Sequence, residues 1–127
     1  MKREKGFTFV ELLVVITIIA VLTAIGVVSY QSTNKSSRDA KRKTDLENIR
    51  SALELCRLED GRYPPDGSVV FGGELTCSGG SVTMNGVPID PKNIGVYVYD
   101  YIFLTNTTYR LEASLEKDGS DYIVTNP

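Results

Sequence analysis

From Leu12 to Asn34 the chain carries no charged residue, and Leu12–Tyr30 is almost wholly apolar or small. About 20 such residues, rising ~1.5 Å each as a helix, span a hydrocarbon core of ~30 Å. The β-branched density of the run (Val14, Val15, Ile16, Ile18, Ile19, Val21) suits a lipid-facing helix. One residue is discordant. Glu11 stands at the head of the run, and an ionised carboxylate in a bilayer is unfavourable, by about 2.5–3.5 kcal/mol on insertion scales for the comparable aspartate.

Three readings of this segment compete. A cleaved secretory signal has an apolar stretch of roughly 7–15 residues followed by a small-x-small site; this run is longer, and "LTAIG" is a poor site. A plain anchor accounts for the length and for the basic Met1–Lys5 stretch but leaves Glu11 without a purpose. A cut between Gly6 and Phe7 explains more, because it frees an α-amine four residues before Glu11. Such an amine has a reference pKa of about 7.7–8.0 and is cationic near neutrality. Glu11 then has a partner, the N-terminus of its own or a neighbouring chain. An ion pair in a low dielectric offsets its desolvation only when both members are well placed. On this reading Glu11 is a register device for assembly.

The stretch "KGFTFVELLVVITIIAVLTAI" resembles the class III signal of type IV pilins and of the pseudopilins of type II secretion: a basic leader ending in Gly, then Phe, then Glu four positions on within the hydrophobic helix. The resemblance implies cleavage after Gly6 by a membrane prepilin peptidase, N-methylation of Phe7 and a filament-register role for Glu11. It also implies a homo-oligomeric filament, an inner-membrane assembly platform and minor pilins as partners. One departure is Val28, where many family members have a helix proline; any local melting would fall to Gly26, a weaker breaker.

No proline occurs before Pro64, and Leu46, Ile49, Leu53 and Cys56 fall on one helical stripe. The spacing predicts a continuous helix from about Thr8 to Leu58, ended by "EDGRYPP" with Gly61 as C-cap. Its outer half is amphipathic, and the stripe reads as the core face of the following domain. The block "KSSRDAKRK" reads as a solvated basic face, with anionic lipid headgroups or acidic residues of adjacent subunits as further contacts. Lys43–Glu47 and Arg50–Glu54 sit at i, i+4 in the weaker orientation. Five basic residues (Lys35, Arg38, Lys41, Arg42, Lys43) follow the apolar run against three before it (Lys2, Arg3, Lys5). Positive-inside counting alone favours a cytoplasmic C-terminal domain; the cleavage motif and the cysteine pair argue for export.

After Pro65 the chain is rich in Gly and Ser and reads as a variable loop, with one short hairpin around Asn85–Gly86. Three strands are expected beyond it: "GVYVYDYIFL", "TYRLEASLE" with Tyr109, Leu111, Ala113 and Leu115 on one face, and "DYIVTN" after a turn at "KDGS". The fold class is α+β: a long N-terminal membrane-spanning helix packed by its outer half on a small antiparallel sheet, the pilin-like arrangement. The expected divisions are a leader at 1–6, a transmembrane and filament-core helix half at 7–34, an amphipathic helix half at 35–60, and the loop and sheet at 61–127. Cys56 and Cys77 make one disulfide if the chain faces an oxidising compartment.

The composition excludes several classes. Histidine is absent, and there is no Gly-rich phosphate loop, CxxC or G-x-S-x-G, so no nucleophile–base pair can be named and no enzyme is expected. A net charge of −2 and a short basic cluster without aromatics are no footprint for nucleic acid. No cofactor is expected; Glu116, Asp118 and Asp121 are the candidate set for calcium, as in some major pseudopilins, although D-G-S-D reads more simply as a turn and no EF-hand pattern is present. Asn34-Lys35-Ser36 and Asn106-Thr107-Thr108 match the glycosylation triplet, which recurs by chance. The leading expectation is a filament subunit, in the cytoplasmic membrane as a single-pass precursor with its C-terminal domain extracytoplasmic, then in a surface or periplasmic filament. The alternative is a monomeric membrane-anchored binding domain with Tyr97, Tyr99 and Tyr101 as its ligand face.

Overall fold

The computed structural model describes residues 6–127; the leader residues 1–5, with Lys2, Arg3 and Lys5, lie outside the described part. A single long helix, α1 (Phe9–Asp60), is followed by five strands: β1 (Glu74–Thr76), β2 (Val82–Asn85), β3 (Tyr99–Thr105), β4 (Thr108–Ser114) and β5 (Asp121–Thr125). The chain divides into two compact units between Asn34 and Lys35.

Thr8 caps the start of α1, its carbonyl accepting the Leu12 N–H at 3.2 Å. It continues unbroken through Gly26 and Val28. It stops at Gly61, which takes a left-handed conformation (φ 71°) and donates its N–H to Arg57 O at 2.9 Å. That 5→1 bond is the αL end-cap for which only glycine carries no steric penalty.

In the Lys35–Pro127 unit the expected stripe is the core. Leu46, Ile49, Leu53 and Cys56 are all fully buried. They pack with Tyr63, Leu75, Val87, Tyr99, Tyr101, Tyr109, Leu111, Ala113 and Val124. The three-stranded antiparallel sheet has the order β3-β4-β5, with Tyr101 opposite Leu111 and Leu111 opposite Val124. Tyr109, Leu111, Ala113 and Leu115 all turn inward, as the alternation predicts. The "KDGS" turn is present, closed by Leu115 N–H to Ser120 O at 2.8 Å with Gly119 left-handed.

Two local expectations are corrected. Asn85–Gly86 is not the tip of a hairpin but the end of β2. The β1–β2 hairpin turns instead at Ser78–Gly80, closed by Cys77 N–H to Ser81 O at 2.7 Å. A strand beyond Gly86 would need donors that Pro88 and Pro91 lack. Gly86 and Val87 instead both donate to Gly73 O, at 2.8 Å each. β3 begins at Tyr99 rather than near Gly95, because Asn93 (φ 48°) and Gly95 (φ 60°) are left-handed and fold Ile94–Tyr97 into a tight turn.

Candidate functional site

At the head of the apolar run, Thr8 and Glu11 form a reciprocal pair. The Thr8 N–H and hydroxyl donate to Glu11 Oε2 at 2.8 and 2.7 Å, and the Glu11 N–H donates to Thr8 Oγ1 at 3.3 Å. This is a capping box, T-x-x-E, which satisfies otherwise orphaned donors at a helix start. Sequence reasoning looked for Glu11's partner at the Phe7 amine and missed the nearer one, although "TFVE" before an apolar run is its signature. The two bonds reach Oε2; a carboxylate accepts about four, so Oε1 has capacity for another donor. Gly6 and Phe7 precede the helix, with Phe7 87% exposed.

Behind this cap, α1 is long and apolar enough to cross a membrane, and its most apolar stretch is not buried. The hydroxyls within it are closed on the backbone: Thr17 donates to Val14 O and Thr23 to Ile19 O, each at 2.7 Å. Hydroxyls satisfied this way carry little polarity into lipid.

A second constellation lies in the Lys35–Pro127 unit, where a solvated basic face was expected. Arg42 is fully buried. Its Nε and Nη2 grip Asp90 at 2.5 and 3.0 Å, and its Nη1 reaches Asp39 at 2.7 Å and Glu116 at 2.9 Å. Arg38 clamps Glu116 with a two-pronged contact at 2.6 and 2.7 Å, and Lys92 Nζ adds a third cation at 2.9 Å. Asp39 also accepts the N–H groups of Glu116 and Lys117, and Asp90 those of Lys92 and Asn93. Three cations thus balance three carboxylates. The Arg38 clamp, outweighing burial with help from Lys92 and Arg42, holds the Glu116 carboxyl far below the usual range. Burial pushes Asp90 up, yet Arg42 and the two N–H donors together bring it below its ordinary value. Arg42 and Lys92 also flank the Tyr97 ring, 5.0 and 4.5 Å from its centroid.

This arrangement corrects one expectation and bears on two alternatives. Arg38 and Arg42 are not on a solvated face, because carboxylates from distant segments converge on them. The candidate calcium residues do not converge on one another. Glu116 is held by three cations, Asp118 accepts the Ser120 N–H and hydroxyl, and Asp121 accepts the Ser114 hydroxyl. No group of carboxylates fit to hold a metal ion occurs among the described residues. The tyrosines are not a ligand ladder either. Tyr99 and Tyr101 are buried, donating to Asp45 Oδ2 at 2.8 Å and to Pro64 O at 2.6 Å. On the helix, Arg50 pairs with Glu47 at i, i−3 rather than with Glu54, and Lys43 lies over the Tyr122 ring. Glu54 instead accepts the Tyr63 hydroxyl at 2.8 Å.

Cys56 and Cys77 are joined by a disulfide, Cα–Cα 5.2 Å, which ties the end of α1 to the β1–β2 hairpin.

Residues 1–27 match the family model described as the prokaryotic N-terminal methylation motif. Over 115 residues, 89% of the chain, the protein is 33% identical to a type IV major fimbrial protein, FimA, of Dichelobacter nodosus, and the match covers 67% of that relative. The chain belongs to the type IV pilin and pseudopilin family. It is also 40% identical over 88 residues to the prepilin peptidase-dependent protein D of Escherichia coli K12, covering 69% of the chain and about half (51%) of that relative's length. Similarity to the type II secretion system core protein G of Pectobacterium carotovorum, 34% over 62 residues, covers 49% of the chain and 40% of the relative. No solved structure matches. This pilin-family chain therefore has the family's apolar helix and α+β unit, in a family whose role is structural.

Proposed function

We propose that the chain is the subunit of a type IV pilus-like or type II secretion pseudopilus filament, processed after Gly6 by prepilin peptidase and methylated at Phe7. The observation that carries this reading is a membrane-length apolar helix, left bare by its own chain, that begins at a carboxylate. Lipid covers such a helix in the precursor, and the helices of other copies cover it in a filament. Cutting after Gly6 leaves the Thr8 N–H an amide, so the capping box survives processing. The capped Glu11 then offers Oε1 to the Phe7 amine of a neighbouring copy, which fixes the register between them. The methylated amine keeps its positive charge, so it remains a partner for a carboxylate.

In this reading the segment 7–34 is the filament-core half of the helix, 35–60 its amphipathic half and 61–127 the loop and sheet, preceded by the leader 1–6. The Lys35–Pro127 unit is extracytoplasmic, supported by the Cys56–Cys77 bond, since disulfides persist in oxidising compartments. An inner-membrane platform extracts the subunit, and minor pilins are further partners.

Intact-mass and N-terminal analysis of protein from cells tests the reading. The expected chain begins at Phe7 and is heavier by one methyl group. A chain that retains Met1, or is cut after Ala24, overturns it.

A further inference from the structure

The ionic cluster has a consequence for the surface of the Lys35–Pro127 unit. It consumes Asp39, Asp90 and Glu116 internally, each against arginine or lysine. Around it, at the Lys35 end of the unit, Lys35, Lys41, Lys43 and Lys117 are exposed and form no ion pair with a described residue. Lys117 belongs to this end because its N–H donates to Asp39. The exposed carboxylates there are Asp118, Asp121 and Glu47, the last paired with Arg50, so four lysines face two acids that have no ion pair with a described residue.

At the Asp60 end the sign reverses. Glu59, Asp60 and Asp66 form no ion pair with a described residue; their oxygens accept the Ser81 hydroxyl, the Gly79 N–H and the Phe103 N–H. The α1 C-terminus adds its partial negative charge. Arg62, exposed, and Arg57, half-buried in the last turn of α1 and donating to the Tyr63 hydroxyl, are the cations opposing them. Lys41 and Glu59 are separated by 18 residues of one helix, ~27 Å at ~1.5 Å per residue.

We propose that the lysine end of one copy docks on the carboxylate end of the next, a head-to-tail contact between second copies of this chain. Two different patches meeting in this way form a heterologous interface, which propagates as an open helical polymer when the rotation does not close. The complementarity also disfavours the wrong polarity, since like ends brought together repel. The inference rests on the filament reading above and adds the surface that selects the neighbour. Anionic lipid is the competing occupant of the lysine end. It accounts for the lysines alone, whereas a second copy accounts for both ends.

The test uses full-length protein in its native assembly background, with Lys41→Glu, Glu59→Lys and the two combined. Both positions are exposed, so Lys41→Glu should melt like wild type, and Glu59→Lys, which gives up only the exposed hydrogen bond from Ser81, should melt like Ser81→Ala. Each single reversal is expected to lower the yield of sheared filaments about tenfold, equivalent to ~1.4 kcal/mol, at matched membrane levels. The combined variant should recover most of the loss. Wild-type yields from both single variants, or a combined variant worse than either, would overturn the proposal. So would loss with Lys41→Glu alone, accompanied by weaker sedimentation with phosphatidylglycerol vesicles, which assigns the lysine end to lipid. A wild-type chain correctly cut after Gly6 but absent from any filament defeats the filament reading itself.

Discussion

Arg42 and Asp90 stand 48 residues apart in sequence and meet as a fully buried two-pronged pair. Asp39 and Glu116 complete the shell around the same guanidinium. Removing one member of a buried pair costs about 3–5 kcal/mol, because the remaining charge has no partner. Arg42→Met leaves three carboxylates facing an apolar side chain. It should destabilise the Lys35–Pro127 unit at the upper end of that range and more than Asp90→Asn, read as a lower urea midpoint of the detergent-solubilised chain by near-ultraviolet circular dichroism. Equal midpoints for Arg42→Met and wild type would mean that the cluster contributes nothing net.

The same cluster sets the acid limit of the fold. Glu116 and Asp90 have folded pKa values below their unfolded ones, so the unfolded chain binds more protons in acid. Their stabilisation is fully present above the unfolded carboxylate values, about 3.9–4.3. It is lost as pH falls through the lower folded values. The unit should therefore hold a flat melting temperature from neutrality down to about pH 5 and lose it steeply below about pH 4. Glu116→Gln should flatten that acid limb while lowering the neutral plateau. An acid limb unchanged in Glu116→Gln would assign it to other carboxylates.

The regular parts of this fold were legible because their signal is periodic. The stripe Leu46, Ile49, Leu53, Cys56 and the alternation through Tyr109, Leu111 and Ala113 name their own buried faces. The "KGF…E" block was equally readable, being a fixed order of chemically distinct residues. The buried Arg42 was not, since a basic run looks solvated until Asp90 and Glu116 arrive from remote segments. Only the packed topology brings them together. Asn85–Gly86 misled for a related reason: the dipeptide favours a turn, but Pro88 and Pro91 deny the following segment the donors of a strand. The Thr8–Glu11 box is local and its T-x-x-E pattern is readable, but it gives the carboxylate a neutral partner where charge alone points to a cation.

Asp45 supplies a further test of packing over ligand binding. It is nearly buried, and the Tyr99 hydroxyl donates to it. Tyr99→Phe removes that donor and leaves the carboxylate in the core, at a cost of about 1–3 kcal/mol. Adding Asp45→Leu should recover most of the loss, because an apolar pair needs no donor. Chemical denaturation of the two variants checks this; a double variant as unstable as Tyr99→Phe would place the Asp45 partner elsewhere.

The disulfide should be present in protein taken from cells and should matter to stability. Its cysteines are 21 residues apart, and closing a loop of about that size is worth ~3 kcal/mol in the chain-entropy model. Labelling of unreduced, denatured chain should find no reactive thiol, and Cys77→Ser should melt at lower temperature. Two reactive thiols in the exported chain would remove the bond and weaken the case for an extracytoplasmic unit.

Glu11 has two candidate duties, and one substitution separates them. As the last residue of a capping box it needs an acceptor at the right reach, and glutamine supplies that as well as glutamate does. As counter-charge to the Phe7 amine of a neighbouring copy it needs a full negative charge, which glutamine lacks. Glu11→Gln should therefore keep the Thr8 bonds, insert in the membrane at least as well as wild type, and still be cut after Gly6, while filament yield falls. Glu11→Leu removes both duties and should assemble no better than Glu11→Gln. Glu11→Asp keeps the charge, shortens the reach by one methylene and should be intermediate. Yields are compared by shearing and electron microscopy at equal membrane levels, with N-terminal analysis confirming cleavage. Normal filaments from Glu11→Gln, with poor ones from Glu11→Leu, would reduce Glu11 to a helix cap. Normal filaments from both would place register elsewhere in the chain.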